Sequence, residues 1–204
     1  MKALLLTFLC LAFAAGSAWG QAGAIGIYGD NAGTNCNLND KYTGLQQYYV
    51  VHTNTLGATA CQFSAPKPWC LLATYLSDAP IFPVTIGNSQ TGVSVGYGAC
   101  RSGFIHVLTL QFFTQGLSPN CCCYFVQPDP LVPSRRIEVV DCAFQIVYAN
   151  GGWGYINALP RCVCDLCATG AYSPECGGGW EDCLNPPVPV RESTWGAVKH
   201  VYSE

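Results

Sequence analysis

Short runs of β-branched and aromatic residues recur along the chain, separated by Gly, Pro, Asn and Asp. Such runs are typical of strands bounded by turns, and no helical periodicity longer than two turns appears before residue 190. Because helices are too few to connect parallel strands, the pattern predicts an all-β antiparallel sandwich of nine to eleven strands. The predicted strands are 24–28, 47–53, 59–64, 70–75, 83–86, 92–96, 104–113, 122–127, 136–140, 143–148 and 153–156.

Side-chain alternation and one turn pair give finer predictions. The pair Asn150-Gly151 is typical of a two-residue hairpin turn, here between strands 143–148 and 153–156. Within 143–148, Phe144, Ile146 and Tyr148 share one face because alternate residues of a strand point the same way. In the longest run we expect the inner face to carry Phe104, His106, Leu108, Leu110 and Phe112.

The two ends of the chain differ from this β-rich middle. Residues 1–20 combine Lys2, an apolar run and small residues before Gln21, which is typical of a cleaved secretory signal peptide. The apolar run is too short to span a membrane. After a sandwich domain over 21–160, a Cys- and Gly-rich segment without periodicity occupies 161–183. A Pro-rich spacer and a short amphipathic helical tail are expected over 184–204.

Composition and charge narrow the function classes. Only 10% of residues are charged and 50% are hydrophobic, which excludes an intrinsically disordered chain. The net charge of −3 offers no basic footprint for nucleic acid. No run beyond the signal peptide is long enough for a transmembrane helix. The sequence therefore predicts a secreted or cell-surface protein that does not bind nucleic acid.

The chain has 14 cysteines, and thirteen of them follow the signal peptide. In an exported protein they are expected to form disulfides, and their odd number leaves at least one thiol outside any pair within the chain. We expect Cys70 to pair with Cys100 across the excursion at 80–98, and either Cys122 or Cys123 to pair with Cys142. A zinc site built from the thiolates between Cys162 and Cys183 is the alternative for that segment.

Groups suited to catalysis are few. The chain has three histidines, His52, His106 and His200, and its 12 carboxylates are scattered. Gly92-Val-Ser94-Val-Gly96 matches the nucleophile-elbow motif in letters, but no helical pattern follows it. Glu138 and Asp141 are three positions apart, so on one strand they would face opposite sides. The sequence favours a protein without catalytic residues.

Two kinds of ligand site remain as candidates. The segment from Asp30 to Asp40 is rich in side-chain oxygens, and Asp30, Asn35, Asn37 and Asp40 are candidate calcium ligands, although Asx-turns explain the same pattern. Exposed aromatic rings can stack on the apolar faces of sugars. The candidates for glycan binding, in or beside predicted strands, are Trp69, Tyr75, Trp153 and Tyr155.

Three stretches are similar to small exported bacterial proteins of unknown function: Ile25-Gly-Ile-Tyr-Gly-Asp30, Val50-Val-His-Thr-Asn-Thr55 and the closing Thr194-Trp-Gly-Ala-Val-Lys-His-Val-Tyr202. The layout of 58–65, 104–116 and 136–157 resembles cohesin-type and carbohydrate-binding β-sandwiches. That resemblance implies a jelly-roll or cohesin-like strand arrangement and a binding role. It supplies no catalytic residues, and cohesins are not rich in cysteine.

The sequence therefore predicts an exported, disulfide-bonded β-sandwich that binds a glycan or a cell-surface protein without catalysis. Two alternatives stay open. One is a hydrolase of extracellular polymers that uses His106 or His52 with a carboxylate or Ser94. The other is a purely structural protein of the cell envelope.

Overall fold

The structure is a computed structural model that describes residues 22–159, and these residues form ten strands without a helix. The predictions for 1–20, 161–183 and 184–204 lie outside the described residues. The strands are β1 Ala24–Tyr28, β2 Asn37–Leu38, β3 Thr43–Phe63, β4 Ala73–Pro80, β5 Val84–Asn88, β6 Gly92–Gln115, β7 Cys122–Phe125, β8 Ile137–Asp141, β9 Ile146–Gly151 and β10 Trp153–Ile156. No helix within 22–159 could cross a membrane.

The long strands β3 and β6 organise the fold. They contain 21 and 24 residues and pair with each other from Thr43 opposite Gln115 to Phe63 opposite Val93. The sequence predicted two separate strands in each of these segments. The polar and glycine residues interpreted as turns are instead bends within continuous strands, with φ values of 55° at Asn54, 73° at Gly98 and 79° at Gly103. Register shifts between β3 and β6 accompany these bends.

Each half of the β3–β6 ribbon contributes to a different layer. The first half of β3 and the second half of β6 are flanked by β1 and β4. The other halves are flanked by β8 and β5, and β9 follows β8. Buried side chains from both halves belong to one hydrophobic core, so the seven-stranded sheet folds over on itself. The predicted all-β sandwich is confirmed.

A second, three-stranded sheet with the order β2-β10-β7 covers the aromatic part of that core. The Tyr124 ring of β7 contacts Tyr48 and Phe112, with ring centroids 6.3 and 6.0 Å apart. The Tyr124 hydroxyl donates a hydrogen bond to the Ala65 carbonyl at 2.9 Å, which satisfies its polar atom inside the core. Cys70 is linked to Cys122 and joins the segment before β4 to this small sheet.

The inner face predicted for 104–113 is right for its second half only. Leu108, Leu110 and Phe112 are fully buried, whereas Phe104 is 48% exposed. On β3, Val50 pairs with Leu108 and Val51 with His106, so Val107 is an extra residue on β6. One inserted residue reverses the alternation, because the side-chain period of a strand is two.

The predicted hairpin at Asn150-Gly151 is wrong. β9 belongs to the seven-stranded sheet and β10 to the three-stranded sheet, so the chain crosses between sheets at this point. A side chain at Gly151 would collide with the Val126 carbonyl, which means that the glycine permits close backbone packing. The hairpin instead joins β8 to β9, where the Asp141 carboxylate accepts hydrogen bonds from the Ala143 and Gln145 amides at 2.8 Å.

The predicted disulfide pairings are also wrong, although the chosen cysteines are bonded. Cys70 pairs with Cys122, and Cys100 pairs with Cys142. Strand order decides this, because Cys100 at the β6 bend and Cys142 at the end of β8 flank Gly57 of β3. Cys123 is disulfide-bonded as well, as are Cys36 and Cys121. Among the described cysteines, Cys61 is the free thiol, and it is buried.

Candidate functional site

One layer of the seven-stranded sheet consists of β5, β6, β3, β8 and β9, and its outward side carries two rows of cross-strand neighbours that run over these five strands. We name this surface the outer face. Its first row is Ile86, Ser94, Gln62, Glu138 and Tyr148, each paired with the next across adjacent strands. Its second row is Val84, Gly96, Ala60, Val140 and Ile146, paired in the same way.

Burial confirms that both rows point away from the core. The residues that alternate with them on the three central strands, Val95, Cys61 and Val139, are at most 2% exposed. The large apolar residues of the rows lie at their two ends. Val84 and Ile86 are 57% and 71% exposed on β5, and Ile146 and Tyr148 are 60% and 47% exposed on β9. Paired residues on one face contact one another, so the rows form a continuous surface.

Small and polar side chains make the middle of the outer face shallow. Val84 leans over Gly96, because a Cβ built on Gly96 would lie 3.4 Å from the Val84 Cβ. Gln62 donates a hydrogen bond at 2.8 Å to the buried Asp129 carboxylate, which also accepts the Leu131 amide at 2.8 Å. These hydrogen bonds hold the Gln62 side chain in one position and leave the apolar ends as the protruding parts.

One end of the outer face also carries a positive charge. The Arg136 guanidinium lies 4.9 Å from the centroid of the Tyr148 ring, within the range of a cation–π contact. This contact orients the exposed tyrosine beside Ile146. The face therefore combines apolar ends, a polar centre that includes Glu138, and a basic group at its β9 edge.

The four aromatic residues predicted to bind a glycan lie in different environments. Trp69 is 62% exposed at the turn before Cys70, whereas Tyr155 is 3% exposed. Trp153 is partly buried and packs in a small cluster with Tyr155 and Cys123. Tyr75 packs edge-on against Phe112, and burial followed by the nearby Asp78 charge raises its pKa to about 12. Trp69 is the aromatic side chain of this set with a widely accessible face.

Three of the predicted calcium ligands, Asp30, Asn35 and Asp40, accept hydrogen bonds from other groups of the protein. Asp30 accepts bonds from the Thr34 amide at 2.9 Å and hydroxyl at 2.7 Å, and Asn35 accepts the Asn37 amide at 3.0 Å. Asp40 is fully buried and accepts the Ser118 amide at 3.3 Å. Within 22–159, no three His, Cys, Asp or Glu side chains converge on a metal position. Calcium binding by Asp30, Asn35, Asn37 and Asp40 stays a prediction.

The groups considered for catalysis are held in separate places. Ser94 and Glu138 lie in one row of the outer face with Gln62 between them. His106 lies on the other half of β6, where its Nε2 is 3.1 Å from the Thr109 hydroxyl and its ring contacts Tyr49. Burial lowers the pKa of His106 below the ordinary 6.5. A nucleophile, base and acid are therefore not brought together from these three residues.

A directional hydrogen-bond chain crosses the core beneath the outer face. Nε2 of His52 contacts the Ala22 carbonyl, which can only accept, so Nε2 carries the proton. Nδ1 then accepts from the Tyr97 hydroxyl at 3.0 Å. Tyr97 also interacts with the Cys61 thiol, and this interaction lowers the thiol pKa against the larger effect of burial. All three side chains are thus neutral. Burial accordingly lowers the pKa of His52 and raises that of Cys61 to about 12.

The outer face was missed in the sequence because its rows depend on strand order. Alternation along β8 and β9 puts Glu138 with Val140, and Ile146 with Tyr148, on shared faces. Nothing local places Val84 and Ile86 at the opposite end of the same rows. One signal for this end was present in the sequence. Val84 and Ile86 alternate beside a turn, and β-branched residues at alternate positions favour a half-buried strand.

Comparison with known proteins gives a likeness of fold. No protein-family model matches the chain, and no curated protein matches it. A non-cellulosomal cohesin from Archaeoglobus fulgidus is similar over 65% of this chain and 89% of its own, with 13% identity and a TM-score of 0.43. The sixth cohesin of Acetivibrio cellulolyticus scaffoldin B, solved with a dockerin, is similar over 67% of this chain and 98% of its own, with 11% identity and a TM-score of 0.43. A cohesin module of a Clostridium perfringens family 33 glycoside hydrolase is similar over 68% of this chain and 99% of its own, with 4% identity and a TM-score of 0.44.

Proposed function

We propose that this protein is a non-catalytic, exported module that binds another protein through the outer face. The observation that carries the proposal is the pair of in-register rows with exposed Val84 and Ile86 at one end and Ile146 and Tyr148 at the other. Exposed apolar side chains that are grouped on one face beside polar residues are characteristic of an interaction site.

The dimensions of the face support a protein partner. Five strands are separated by four spacings, so the two apolar ends lie roughly 19 Å apart. That span suits the contact patch of a folded protein, in which apolar anchors are surrounded by polar groups. Tyr148, stiffened by Arg136, is a suitable anchor because a tyrosine ring contributes a large contact area with few rotatable bonds.

The charged residues of the outer face indicate that the partner surface carries polar as well as apolar groups. Glu138 lies in the middle of the first row, and Arg136 lies over Tyr148 at its end. A partner that presents apolar side chains to the two ends and a basic group to Glu138 would match this pattern.

Export is part of the proposal. The signal-peptide pattern of residues 1–20 and the disulfides of the described domain both favour an oxidising compartment outside the cell. Glycan binding is the second candidate, and the accessible ring of Trp69 is what favours it.

The proposal is tested by affinity capture from the exported proteins of the producing cell, with a matched pair of variants. Ile86→Asp combined with Tyr148→Asp puts a charge at each end of the first row. The control, Leu45→Asp combined with Phe113→Asp, changes a cross-strand pair of similar exposure, 57% and 45%, on the other layer. We expect the first variant to lose the captured protein and the control to retain it. Equal capture by both variants would remove the outer face from consideration.

A further inference from the structure

A cleft of about 630 Å³ opens at the end of the sandwich where β6 bends. It lies between the turn that joins β4 to β5, at Ile81, and the β6 segment from Tyr97 to His106. No residue of the two outer-face rows lines it, so it is separate from the proposed protein-binding surface. Its size falls within the range of pockets that hold small ligands.

The cleft is built by backbone conformation. Gly98 and Gly103 have φ values of 73° and 79°, which other residues adopt only with strain, and they turn β6 outward and back. Phe82 is buried at the base, with its ring centroid 5.0 Å from that of Tyr97. The floor and one wall are therefore rigid aromatic rings.

Arg101 is fixed over this floor with most of its donors free. Its guanidinium carbon lies 5.0 Å from the centroid of the Phe82 ring, and its Nε donates to the Tyr97 carbonyl at 3.3 Å. A guanidinium has five N–H donors, so the two terminal nitrogens remain available as a fork. That fork matches the two oxygens of a carboxylate.

Nothing acidic in the cleft competes for the guanidinium. The lining residues include no Asp and no Glu. Burial raises the pKa of Tyr97 and lowers that of His106, so both of these rings are neutral at pH 7. Apart from Ser102, the remaining lining residues are apolar, with Phe104 48% exposed and Ile81 52% exposed. The cleft therefore offers one positive charge beside aromatic and aliphatic walls.

We propose that this cleft binds a carboxylate carried on an aromatic or aliphatic body. The carboxylate would be held end-on by the terminal nitrogens of Arg101, and the body would lie between Phe82 and Phe104. The carboxylate can come from a small organic acid or from the C-terminus of a peptide, since both present the same group.

The test titrates the folded full-length chain with four probes and follows amide resonances by NMR. 3-Phenylpropionate and N-acetyl-glycyl-phenylalanine present the carboxylate from the two sources, and their primary amides are matched neutral controls. We expect at least one acid to shift residues 97–106 saturably, with an affinity about tenfold or more above that of its amide, the value of a charge-assisted hydrogen bond. Tighter binding of one acid identifies the source.

Variants assign the effect to the guanidinium. Arg101→Gln should reduce the affinity of the acid to that of the amide, and Arg101→Lys should retain part of it because the charge stays while the fork is lost. Arg135→Gln, an exposed arginine outside the cleft, is the control and should change nothing. The proposal is overturned if acid and amide bind alike, if Arg101→Gln binds as well as the unchanged protein, or if neither acid shifts these residues at about 10 mM.

Discussion

Ile86 of β5 and Tyr148 of β9 lie at opposite ends of one row of cross-strand neighbours, with three strands between them in a single sheet layer. Both side chains are exposed, at 71% and 47%, while the residues that alternate with the central positions of the row are buried. Two distant segments of the chain are thereby combined into one surface. Substituting either residue should leave the core unchanged, which makes the surface open to direct testing.

The buried, neutral His52 predicts acid sensitivity. Desolvation lowers its folded-state pKa, partly offset by the Ala22 carbonyl, whereas the unfolded chain has the ordinary value of 6.5. Below 6.5 the unfolded state takes up a proton that the native state does not, so the free energy of unfolding falls as the pH falls. The slope approaches about 1.4 kcal/mol per pH unit for one such group.

Urea unfolding at a series of pH values from about 7.5 to about 5 measures how the free energy of unfolding depends on pH. The His52→Gln variant should be less stable at pH 7.5 and should show a flatter dependence. The free energy of unfolding of that variant should still change with pH, but with a smaller slope than in the unchanged protein, because the pKa of His106 is also lowered by burial. An unchanged slope in His52→Gln would show that His52 is not the responsible group.

Cys61 should be unreactive until the protein unfolds. Burial raises the pKa of its thiol to about 12 from the ordinary 9.0, and the hydrogen bond with Tyr97 offsets only part of this. The thiolate is the reactive form, so Cys61 should resist alkylation in the native protein and should become reactive when denaturant is added. Since the unfolded thiol ionises above 9.0, stability should also fall as the pH rises from 9.0 towards 12.

Peptide mass mapping after alkylation with and without denaturant checks this prediction. Modification of the Cys61 peptide in the native protein at pH 8, a value about one unit below the ordinary thiol pKa, would contradict the buried, protonated state. The measurement needs no substitution and therefore no assumption about folding.

The Cys100–Cys142 bond should contribute to stability mainly by restricting the unfolded chain. It closes a loop with a sequence separation of 42, for which chain entropy predicts about 4 kcal/mol. Cys100→Ala combined with Cys142→Ala should lower the free energy of unfolding by about that amount in equilibrium denaturation. Removing the buried Cys70–Cys122 bond should cost more, because a cavity is added to a similar entropic loss.

Gly57 should be required only while that bond is present. A Cβ at Gly57 would lie 2.6 Å from the Cys142 sulfur, closer than van der Waals contact permits. Gly57→Ala should cost roughly 1–3 kcal/mol in the intact protein and much less in the background that lacks both cysteines. Gly96→Ala, whose Cβ would meet Val84 at an ordinary 3.4 Å, is the control. Equal costs in the two backgrounds would mean that the collision is not with the disulfide.

Local chemistry was enough to predict some elements of the fold. The bounds of β1 and β10 agree with the predicted 24–28 and 153–156, because each is a β-rich run bounded by residues that disfavour strands. Asn54, Gly98 and Gly103 were misinterpreted because the residues that end a strand also bend one. Whether a chain turns back or continues at such a residue depends on its partner strand.

The disulfide pairs and the candidate site depend on relationships that no local pattern contains. Cys100 meets Cys142 because β6 and β8 both flank β3, and that order is a property of the whole sheet. Likewise, Trp69 and Tyr155 look alike as aromatic candidates, yet one is exposed and the other buried. The extra residue at Val107 reversed the inner face for the same reason, since a bulge is defined only against the paired strand.

Methyl-resolved NMR of the protein with its captured partner tests the central claim most directly. The Val84, Ile86, Val140 and Ile146 methyl groups report on both ends and the middle of the outer face. We predict that partner binding shifts these four signals, whereas Leu45 on the other layer and the core residues Val50 and Leu108 stay in place. Shifts confined to Leu45 and its surroundings, or to the vicinity of Trp69, would contradict the assignment of the outer face as the protein-binding surface.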